Sequence, residues 1–323
     1  LNEFLAEWHN DNPRILVHTS GSTGKPKPLM VEKRRMLNSA RITCDFLGLK
    51  PGDTALLCMP LDYIAGKMMV VRSLQRDLRL TSVRPSSHPL ADETLPSFTF
   101  AAMVPMQVYN SLKVPQERER LMRIRHLIIG GGAISDELAQ MIKPLPNAVW
   151  STYGMTETLS HIALRRLNGP DASLWYTPFD GVGISLNADG CLVIDAPEVC
   201  AEPLVTNDIA QLRTDDRTGK TLFRIKGRKD NVVCSGGIKI QIEEVEETLR
   251  PHLSAPFMIV KKQDEMLGEK AILLTESTDL THIEEICRNT LPKYWVPREF
   301  LHIDHLPLTE TGKPKRTLPF TPR

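Results

Sequence analysis

The chain has 323 residues, of which 41% are hydrophobic and 24% charged, and its formal net charge is +1. This length exceeds the usual size of a single hydrophobic core, so two domains are expected. The near-neutral charge argues against broad electrostatic binding of nucleic acid or of an anionic membrane. No apolar run approaches the roughly 18 residues that a membrane span needs.

Neither the cysteines nor the N-terminus indicates secretion. The first residues are polar and acidic, which is unlike a signal peptide. The chain begins with Leu rather than Met, which suggests a fragment or a processed chain. No C-x-x-C pair is present, and we interpret the six cysteines as reduced core residues of a cytoplasmic protein: Cys44, Cys58, Cys191, Cys200, Cys234 and Cys287.

A polar loop follows the first apolar run, Ile15-Leu16-Val17. A strand that ends in hydroxyl groups, glycines and lysines presents N–H groups and ammonium charges to one point, the combination that a triphosphate needs. The alternative is a flexible surface turn, because the same residue types punctuate loops. The spacing is not that of a Walker loop, and Pro26 would obstruct an immediate helix. The candidate ligands are Thr19, Ser20, Gly21, Ser22, Thr23, Gly24 and Lys27.

Apolar runs then alternate with segments of helical period as far as residue 150. Ser135 is well placed as the N-cap of one such helix. The alternation predicts a mostly parallel sheet covered by helices on both faces, with ligands bound beyond the carboxyl ends of its strands. The predicted strands are Thr54–Met59, Phe98–Val104, Leu127–Ile129 and Ala148–Trp150, and the predicted helices lie near 36–47, 106–112 and 135–142.

Two polar loops follow predicted strands of this sheet. Gly131, Gly132 and Ala133 offer close backbone approach to a flat ligand, or form an ordinary tight turn. The run Tyr153-Gly154-Met155-Thr156-Glu157-Thr158 places one carboxylate beside two hydroxyl groups, which suits a hard divalent cation that also binds phosphate oxygens. The alternative is that Tyr153 packs and Glu157 is solvated.

The pattern changes after residue 170. Short strands at Cys191–Asp195 and Thr221–Ile225 predict a small antiparallel subdomain over about 171–229, within a large domain of residues 1–229. The charged run Lys226–Asp230 is the candidate boundary. Beyond it, strands and helices predict a small α+β domain over 230–323. The fold class is therefore α/β with an antiparallel subdomain and a small C-terminal α+β domain.

Further short motifs complete a series in a recognisable order. They are T-S-G-S-T-G-K-P-K from Thr19, the run from Tyr153, Thr206-Asn207-Asp208, Gly227-Arg228-Lys229-Asp230-Asn231, Ser235-Gly236-Gly237 with Glu243–Glu246, and Leu306–Lys313. This order resembles the acyl-adenylating enzymes, which include acyl-CoA synthetases, adenylation domains of peptide synthetases and firefly luciferase. The chain is identified as a member of that superfamily. Asn207 and Ile242 replace the more usual Gly and Pro.

The resemblance implies a role for each matching residue. Tyr153 would lie against adenine with Gly154 and Met155 beside it, Thr156 would contact phosphate, and Glu157 would hold magnesium. Lys313 would be the adenylation lysine, because a mobile ammonium can bridge the attacking carboxylate and the α-phosphate. By the same match, Gly131, Gly132 and Ala133 would form the floor of the adenine and acyl pocket, Asp208 would bind both ribose hydroxyls, Arg228 would bind ribose or phosphate, and Asp230 would be the hinge.

The implied activity is that of an ATP-dependent acid–CoA ligase that works through acyl-AMP with ATP, Mg²⁺ and coenzyme A. In the second step the C-terminal domain would turn and bring Gly236 and Gly237 to the site. Among the branches of the family, the o-succinylbenzoate–CoA ligases of menaquinone biosynthesis are the most similar. The alternatives are another aryl or fatty acid, a carrier-protein acceptor, or a non-catalytic nucleotide-binding paralogue.

The acyl pocket cannot be copied from the family. Asp62-Tyr63 stands where such ligases often have Phe-His, so Tyr63 is only a candidate substrate contact. Lys67 or Arg72, on the next predicted helix, could pair with the second carboxylate of a dicarboxylic substrate; otherwise both are ordinary surface charges. Fewer than twenty residues precede the phosphate loop, where the family usually has a hundred or more. We therefore expect apolar surface for a partner, such as a second copy of the chain.

Overall fold

The computed structural model describes residues 1–18, 28–132, 134–308, 314–316 and 318. The chain divides into two compact units. The first consists of Leu1–Ser185, Val193–Leu204 and Leu212–Arg224, and the second of Leu186–Leu192, Val205–Gln211 and Ile225–Arg323. The domain division at 229/230 that the sequence suggests stays a prediction.

Eight α-helices and eighteen strands form within the described residues. The helices are α1 (Asn2–His9), α2 (Lys33–Phe46), α3 (Ile64–Arg76), α4 (Pro105–Lys113), α5 (Pro115–Met122), α6 (Asp136–Ile142), α7 (Ile242–Leu249) and α8 (Leu280–Thr290). None of these helices is long and apolar enough to cross a membrane.

The largest sheet has seven strands in the order β4-β3-β5-β6-β7-β8-β9. Strands β4, β3, β5, β6 and β7 run parallel, whereas β7, β8 and β9 are antiparallel neighbours. The predicted mostly parallel sheet is therefore confirmed. Its strands are β3 (Thr54–Leu57), β4 (Arg79–Ser82), β5 (Phe100–Met103), β6 (His126–Ile129), β7 (Ala148–Gly154), β8 (His161–Arg166) and β9 (Thr177–Pro178).

Burial explains why this sheet forms. All four residues of β5 are buried, as are the last three of β6, because helices cover parallel strands on both faces. Helix α6 begins at the predicted N-cap, where the Ser135 hydroxyl accepts a hydrogen bond from the Leu138 N–H at 3.2 Å. Helix α2 ends before Gly48, whose φ of +63° favours glycine at that point.

Two smaller antiparallel sheets accompany it. One is the hairpin of β1 (Arg14–His18) and β2 (Pro28–Glu32). The other has four strands in the order β10-β11-β12-β13, and corresponds to the predicted antiparallel subdomain. Its strands are β10 (Gly183–Leu186), β11 (Cys191–Asp195), β12 (Leu204–Thr214) and β13 (Thr221–Arg228).

The C-terminal part of the second unit is a five-stranded sheet with two helices. Strands β14, β15, β16 and β17 pair antiparallel, and β18 joins β17 in parallel. Alternate residues of β16 and β17 enter two apolar clusters, since successive side chains of a strand point to opposite faces. The strands are β14 (Val232–Ser235), β15 (Ile238–Gln241), β16 (Phe257–Asp264), β17 (Gly268–Thr275) and β18 (Glu299–His302).

The cysteines are all free thiols. Five are buried and Cys234, on β14, is exposed. Burial raises the pKa of the Cys58 thiol to about 12 and, with a smaller contribution from Glu284, that of Cys287 to about 11. The interpretation as core residues therefore fits five of the six.

Candidate active site

The predicted phosphate-binding segment is held at both ends by a hairpin. Its ligands Thr19, Ser20, Gly21, Ser22, Thr23, Gly24 and Lys27 lie outside the described residues. Strand β1 leads into the segment and β2 leaves it, with His18 opposite Pro28 in the antiparallel register.

The glycine run after β6 lies close to the neighbouring strand β7. A Cβ atom on Gly130 would come within 2.5 Å of the Thr152 hydroxyl oxygen. Gly131 has a φ of +81°, a conformation that L side chains rarely adopt. Gly131 and Gly132 thus follow the carboxyl end of a central parallel strand, where α/β sheets bind ligands. Ala133 lies outside the described residues.

Tyr153 is backed by two other aromatic rings. Its ring centroid lies 5.0 Å from that of Phe223 and 5.7 Å from that of Tyr176, and these two rings stack with 5.3 Å between centroids. The Tyr176 hydroxyl also makes a 2.9 Å hydrogen bond with Ser151. Such a stack restricts Tyr153 and provides an aromatic wall suited to a flat base. Sequence reasoning missed Tyr176 and Phe223, because neither belongs to a recognisable motif.

The turn after β7 carries the predicted phosphate and magnesium residues. Thr156, Glu157 and Thr158 form a short 3₁₀ helix in which Thr156 is buried and Glu157 exposed. The Met155 N–H donates to the Thr158 hydroxyl at 3.0 Å. Leu159 adopts a φ of +64°, which is strained for a leucine and is held by a 2.9 Å bond to the Thr156 carbonyl. These two hydrogen bonds therefore fix the backbone conformation of the turn.

This turn carries a single carboxylate, that of Glu157, for a metal ion. Within the described ranges, no group of three or more His, Cys, Asp or Glu side chains is arranged to hold a metal ion. An exposed Glu157 suits a magnesium ion that arrives with ATP and keeps phosphate and water oxygens as its other ligands.

Arg72 lies inside the first unit, where it is 2% exposed. Its Nη2 donates to the Ser160 hydroxyl at 2.6 Å, Nη1 contacts the Met69 sulfur at 3.9 Å, and Nε has no partner. Burial lowers the pKa of Arg72 to about 10. No carboxylate pairs with it among the described residues. The interpretation of Arg72 as an ordinary surface charge is therefore wrong.

His161 continues this buried polar cluster. Its Nδ1 lies 3.2 Å from the Ser160 hydroxyl and its Nε2 lies 3.2 Å from the Thr43 hydroxyl. Burial, with a smaller contribution from the Arg72 charge, holds the pKa of His161 well below 6.5. The imidazole is therefore neutral at pH 7, and Arg72 is the charged neighbour that acts on it. Sequence reasoning assigned no role to Ser160 or His161.

The other two candidate substrate contacts occupy different environments. The Lys67 ammonium donates to the Leu16 carbonyl at 2.6 Å and lies 5.8 Å from the centroid of the Phe4 ring. Tyr63 precedes α3 as its N-cap residue and is 46% exposed. Lys67 therefore already has a hydrogen-bond acceptor, whereas the Nε–H group of Arg72 has none.

The second unit brings the predicted ribose and hinge residues together. Arg228 donates to the Asp208 carboxylate at 3.2 Å and to the Asp230 carboxylate at 3.1 Å. Asn207 approaches Asp230 with a 3.4 Å contact from its amide nitrogen. Lys229 forms a 2.7 Å ion pair with Asp189, whose bond and charge raise the pKa of the lysine. The predicted hinge residue Asp230 and the two residues directly before it are thus held by charge pairs.

Gly236 and Gly237 form a two-residue hairpin loop between β14 and β15. Ser235 lies opposite Ile238, and the two glycines have φ values of +57° and +82°. This combination is the type I′ turn, which needs a positive φ at both central residues. The turn explains the glycine pair by itself, so a contact with coenzyme A stays a prediction. Lys313 lies outside the described residues.

The fold and these residues define a class of protein. Residues 3–201 match the model of the family described as AMP-binding enzyme. A solved structure from Dyadobacter fermentans, an acyl-CoA synthetase (AMP-forming)/AMP-acid ligase II-like protein, is 34% identical with a TM-score of 0.68, covering 97% of this chain and 91% of that one. The chain belongs to the family of AMP-binding enzymes.

Within that family the curated relatives share one name. A 2-succinylbenzoate–CoA ligase from Bacillus mycoides is 25% identical, over 95% of this chain and 69% of the relative. The corresponding protein from a Geobacillus strain is 24% identical, over 96% and 69%. An o-succinylbenzoate coenzyme A synthetase from Bacillus subtilis, solved with ATP and magnesium, has the same fold with a TM-score of 0.72 at 22% identity, covering 93% of this chain and 68% of that one. Both parts of the predicted resemblance are confirmed.

Proposed function

We propose that the protein is an AMP-forming acid–CoA ligase that converts o-succinylbenzoate to its coenzyme A thioester through acyl-AMP. The family assignment supports the adenylating chemistry. The names of the curated relatives support the acid and the thiol acceptor.

In the first step an oxygen of the substrate carboxylate attacks the α-phosphorus of MgATP. The bond between that phosphorus and the bridging oxygen breaks, so acyl-AMP forms and pyrophosphate leaves. Negative charge develops on both reacting groups, and positioned donors and ammonium groups stabilise it. We assign Lys313 to the α-phosphate, Glu157 to magnesium, Thr156 to phosphate, and Thr19, Ser20 and Lys27 to the departing pyrophosphate.

In the second step the thiol of coenzyme A attacks the acyl carbonyl and AMP leaves. A group that assists the first step would obstruct the second at the same site, so the two steps need different arrangements. We assign the change to a rotation of residues 230–323 about Asp230, which replaces Lys313 by the Gly236–Gly237 turn. The ion pairs of Arg228 and Lys229 lie directly before this hinge.

The proposal of a dicarboxylic substrate rests on the environment of Arg72. A buried guanidinium without a counter-charge is several kcal/mol unfavourable, and a bound carboxylate offsets that cost. The N–H groups that Arg72 leaves without a strong acceptor suit bidentate recognition of a carboxylate. Its hydrogen-bond partner Ser160 follows the turn that carries Thr156 and Glu157, so the same segment connects the two features. Lys67, already bonded to Leu16, is the weaker candidate.

The direct test is a panel of acids with ATP and coenzyme A. We expect pyrophosphate, AMP and a thioester with o-succinylbenzoate, and at least about tenfold lower kcat/KM, roughly 1.4 kcal/mol, for an aryl acid that lacks the second carboxylate. Equal activity with fatty acids would contradict the assigned acid. Transfer to a carrier-protein pantetheine but not to coenzyme A would contradict the acceptor. No pyrophosphate with any acid would favour the non-catalytic paralogue. Sedimentation of the same sample tests the expectation that the chain associates with a second copy of itself.

Replacing Arg72 tests the same idea from the protein side. We expect Arg72→Met to lower kcat/KM for o-succinylbenzoate about 100-fold, roughly 2.7 kcal/mol, and to affect the monocarboxylic analogue much less. Arg76→Met is the matched control, because Arg76 lies one turn further along α3 and pairs with Asp45. A uniform loss for both acids in Arg72→Met would contradict the assignment of Arg72 to the second carboxylate.

A further inference from the structure

The C-terminal tail is fastened to the second unit by a buried ion pair. Arg316 Nη1 donates to Glu246 Oε1 at 2.5 Å and to the Ile259 carbonyl at 2.7 Å, and Nη2 donates to Glu246 Oε2 at 2.8 Å. The side chains are 15% and 8% exposed. Two parallel bonds between a guanidinium and a carboxylate are strong and geometrically specific.

Glu246 is itself embedded in two elements. It belongs to α7, and its Oε1 also accepts the Ile259 N–H of β16 at 2.7 Å. Burial works against the charged form of Arg316, but the hydrogen bond and charge of Glu246, with a smaller contribution from Glu243, outweigh it and raise the pKa of the guanidinium. The pair therefore joins the tail to both a helix and a strand of the unit.

A second attachment lies just before Arg316. Leu308 and Pro314 form an antiparallel bridge, and the Lys315 N–H donates to the Pro307 carbonyl at 2.8 Å. The five residues between Leu308 and Pro314 lie outside the described part of the chain, and Lys313 is the last of them. Its peptide bond leads directly into Pro314, which has a fixed φ. The chain on the C-terminal side of Lys313 is thus held at three successive residues.

We propose that Arg316 is a positioning residue for adenylation: its buried pair with Glu246 fixes the chain beside Lys313, so that the ammonium meets the α-phosphate in register. The inference rests on the proposed function, which assigns that role to Lys313. A misplacement of about 1 Å at a reacting centre can cost about 100-fold in rate. Neither Arg316 nor Glu246 needs to contact a substrate for this effect.

The two half-reactions separate positioning from general damage. We expect Arg316→Met to slow acyl-AMP formation at least tenfold, while thioester formation from supplied acyl-AMP stays within twofold of the parent. Arg316→Lys keeps a cation opposite Glu246 and should restore part of the adenylation rate. Arg288→Met is the control, since it removes the exposed Arg288–Glu284 pair from the same unit and should change neither half-reaction.

A double substitution decides whether Arg316 acts through Lys313. We expect Arg316→Met with Lys313→Ala to be no slower in adenylation than Lys313→Ala alone, because the lysine that Arg316 positions is already gone. Effects that multiply, or equal losses in both half-reactions, would overturn the inference. If Arg316→Met does not fold, Glu246→Gln keeps the acceptor for the Ile259 N–H and should give the same half-reaction pattern.

These outcomes distinguish the inference from the proposed function. Adenylation that is unaffected by Lys313→Ala, or absent from the parent protein, refutes the proposed function. A strong effect of Lys313→Ala together with normal adenylation by Arg316→Met refutes only the inference.

Discussion

At the scale of single residues, Gly154 lies where two backbone segments beside the candidate site approach each other closely. A Cβ atom there would lie 2.3 Å from the Ser160 carbonyl oxygen and 2.4 Å from the His161 Cα. Both are backbone atoms, so no flexible side chain can move away. The glycine lets β7 and the start of β8 approach each other next to the turn of Thr156 and Glu157.

We expect Gly154→Ala to lower the free energy of unfolding by about 2–3 kcal/mol, because the added methyl group forces the two backbones apart. Gly183→Ala is the matched control: it also lies in a strand, and its Cβ would meet nothing closer than 3.5 Å. Urea unfolding of both variants measures the difference. Equal stability of the two would show that the close approach relaxes at no cost.

The sequence predicted the roles of some residues but not their surroundings. Motif order singled out Tyr153, Thr156 and Asp208 for a nucleotide site, but it could not say which cation of α3 is buried. Lys67 and Arg72 are five positions apart, about 140° around a helix with 3.6 residues per turn. They therefore face different surroundings, and which face is buried depends on how α3 packs in the folded chain, which local sequence does not reveal.

At the scale of secondary-structure elements, the hairpin loop of Gly236 and Gly237 has a conformational and a functional explanation. Gly237 has a φ of +82°, and an added Cβ would meet nothing within 4 Å. Any loss of stability on substitution there comes from the backbone conformation and not from a clash.

We expect Gly237→Ala to lower the unfolding free energy by about 1 kcal/mol and Gly237→Asn to lower it less, because Asn tolerates a positive φ. The measurement is denaturant unfolding with the thioester half-reaction in parallel. A Gly237→Asn variant that is stable but slow only with coenzyme A would support the predicted contact with that substrate. Equal losses for Ala and Asn would contradict the conformational explanation.

Elements with a strong apolar period were predicted well and paired polar strands were not. The sequence indicated β11 with the bounds that the structure has, because its apolar residues form one uninterrupted run. Strand β12 was missed, since it contains Asn207 and Asp208, residue types that are depleted in strands. Strand β4 has no buried residue and exists through its pairing with β3. Such long-range pairing is invisible in a local window.

At the scale of the whole molecule, stability should depend on pH through a neutral buried histidine. The folded pKa of His161 lies well below the 6.5 of the unfolded chain, mainly because of burial and then because of Arg72. Below pH 6.5 the unfolded chain therefore binds a proton that the folded chain does not. His126 is shifted in the same direction by burial and by two arginines. The contribution of these neutral histidines to the unfolding free energy is thus complete above pH 6.5 and is lost as the pH falls.

We expect the unfolding free energy to fall between pH 7.5 and 5 by up to about 1.4 kcal/mol per pH unit for each such histidine. The His161→Gln variant should show a shallower dependence, because it removes one of the two groups. The carboxyls with lowered pKa values, such as Asp264, lie below 3.8 and do not titrate in this window. A variant with the slope of the parent would contradict the assignment to His161.

The exposure of Cys234 makes the native chain ready for site-selective labelling. The thiolate is the reactive form of cysteine, and burial, as the largest cause, raises the thiol pKa of the other five. Cys234 is the exposed thiol, two residues before Gly236 in the hairpin that we assign to the thioester step. A maleimide dye will therefore attach there without an engineered cysteine. Its fluorescence can report in real time when coenzyme A reaches the hairpin.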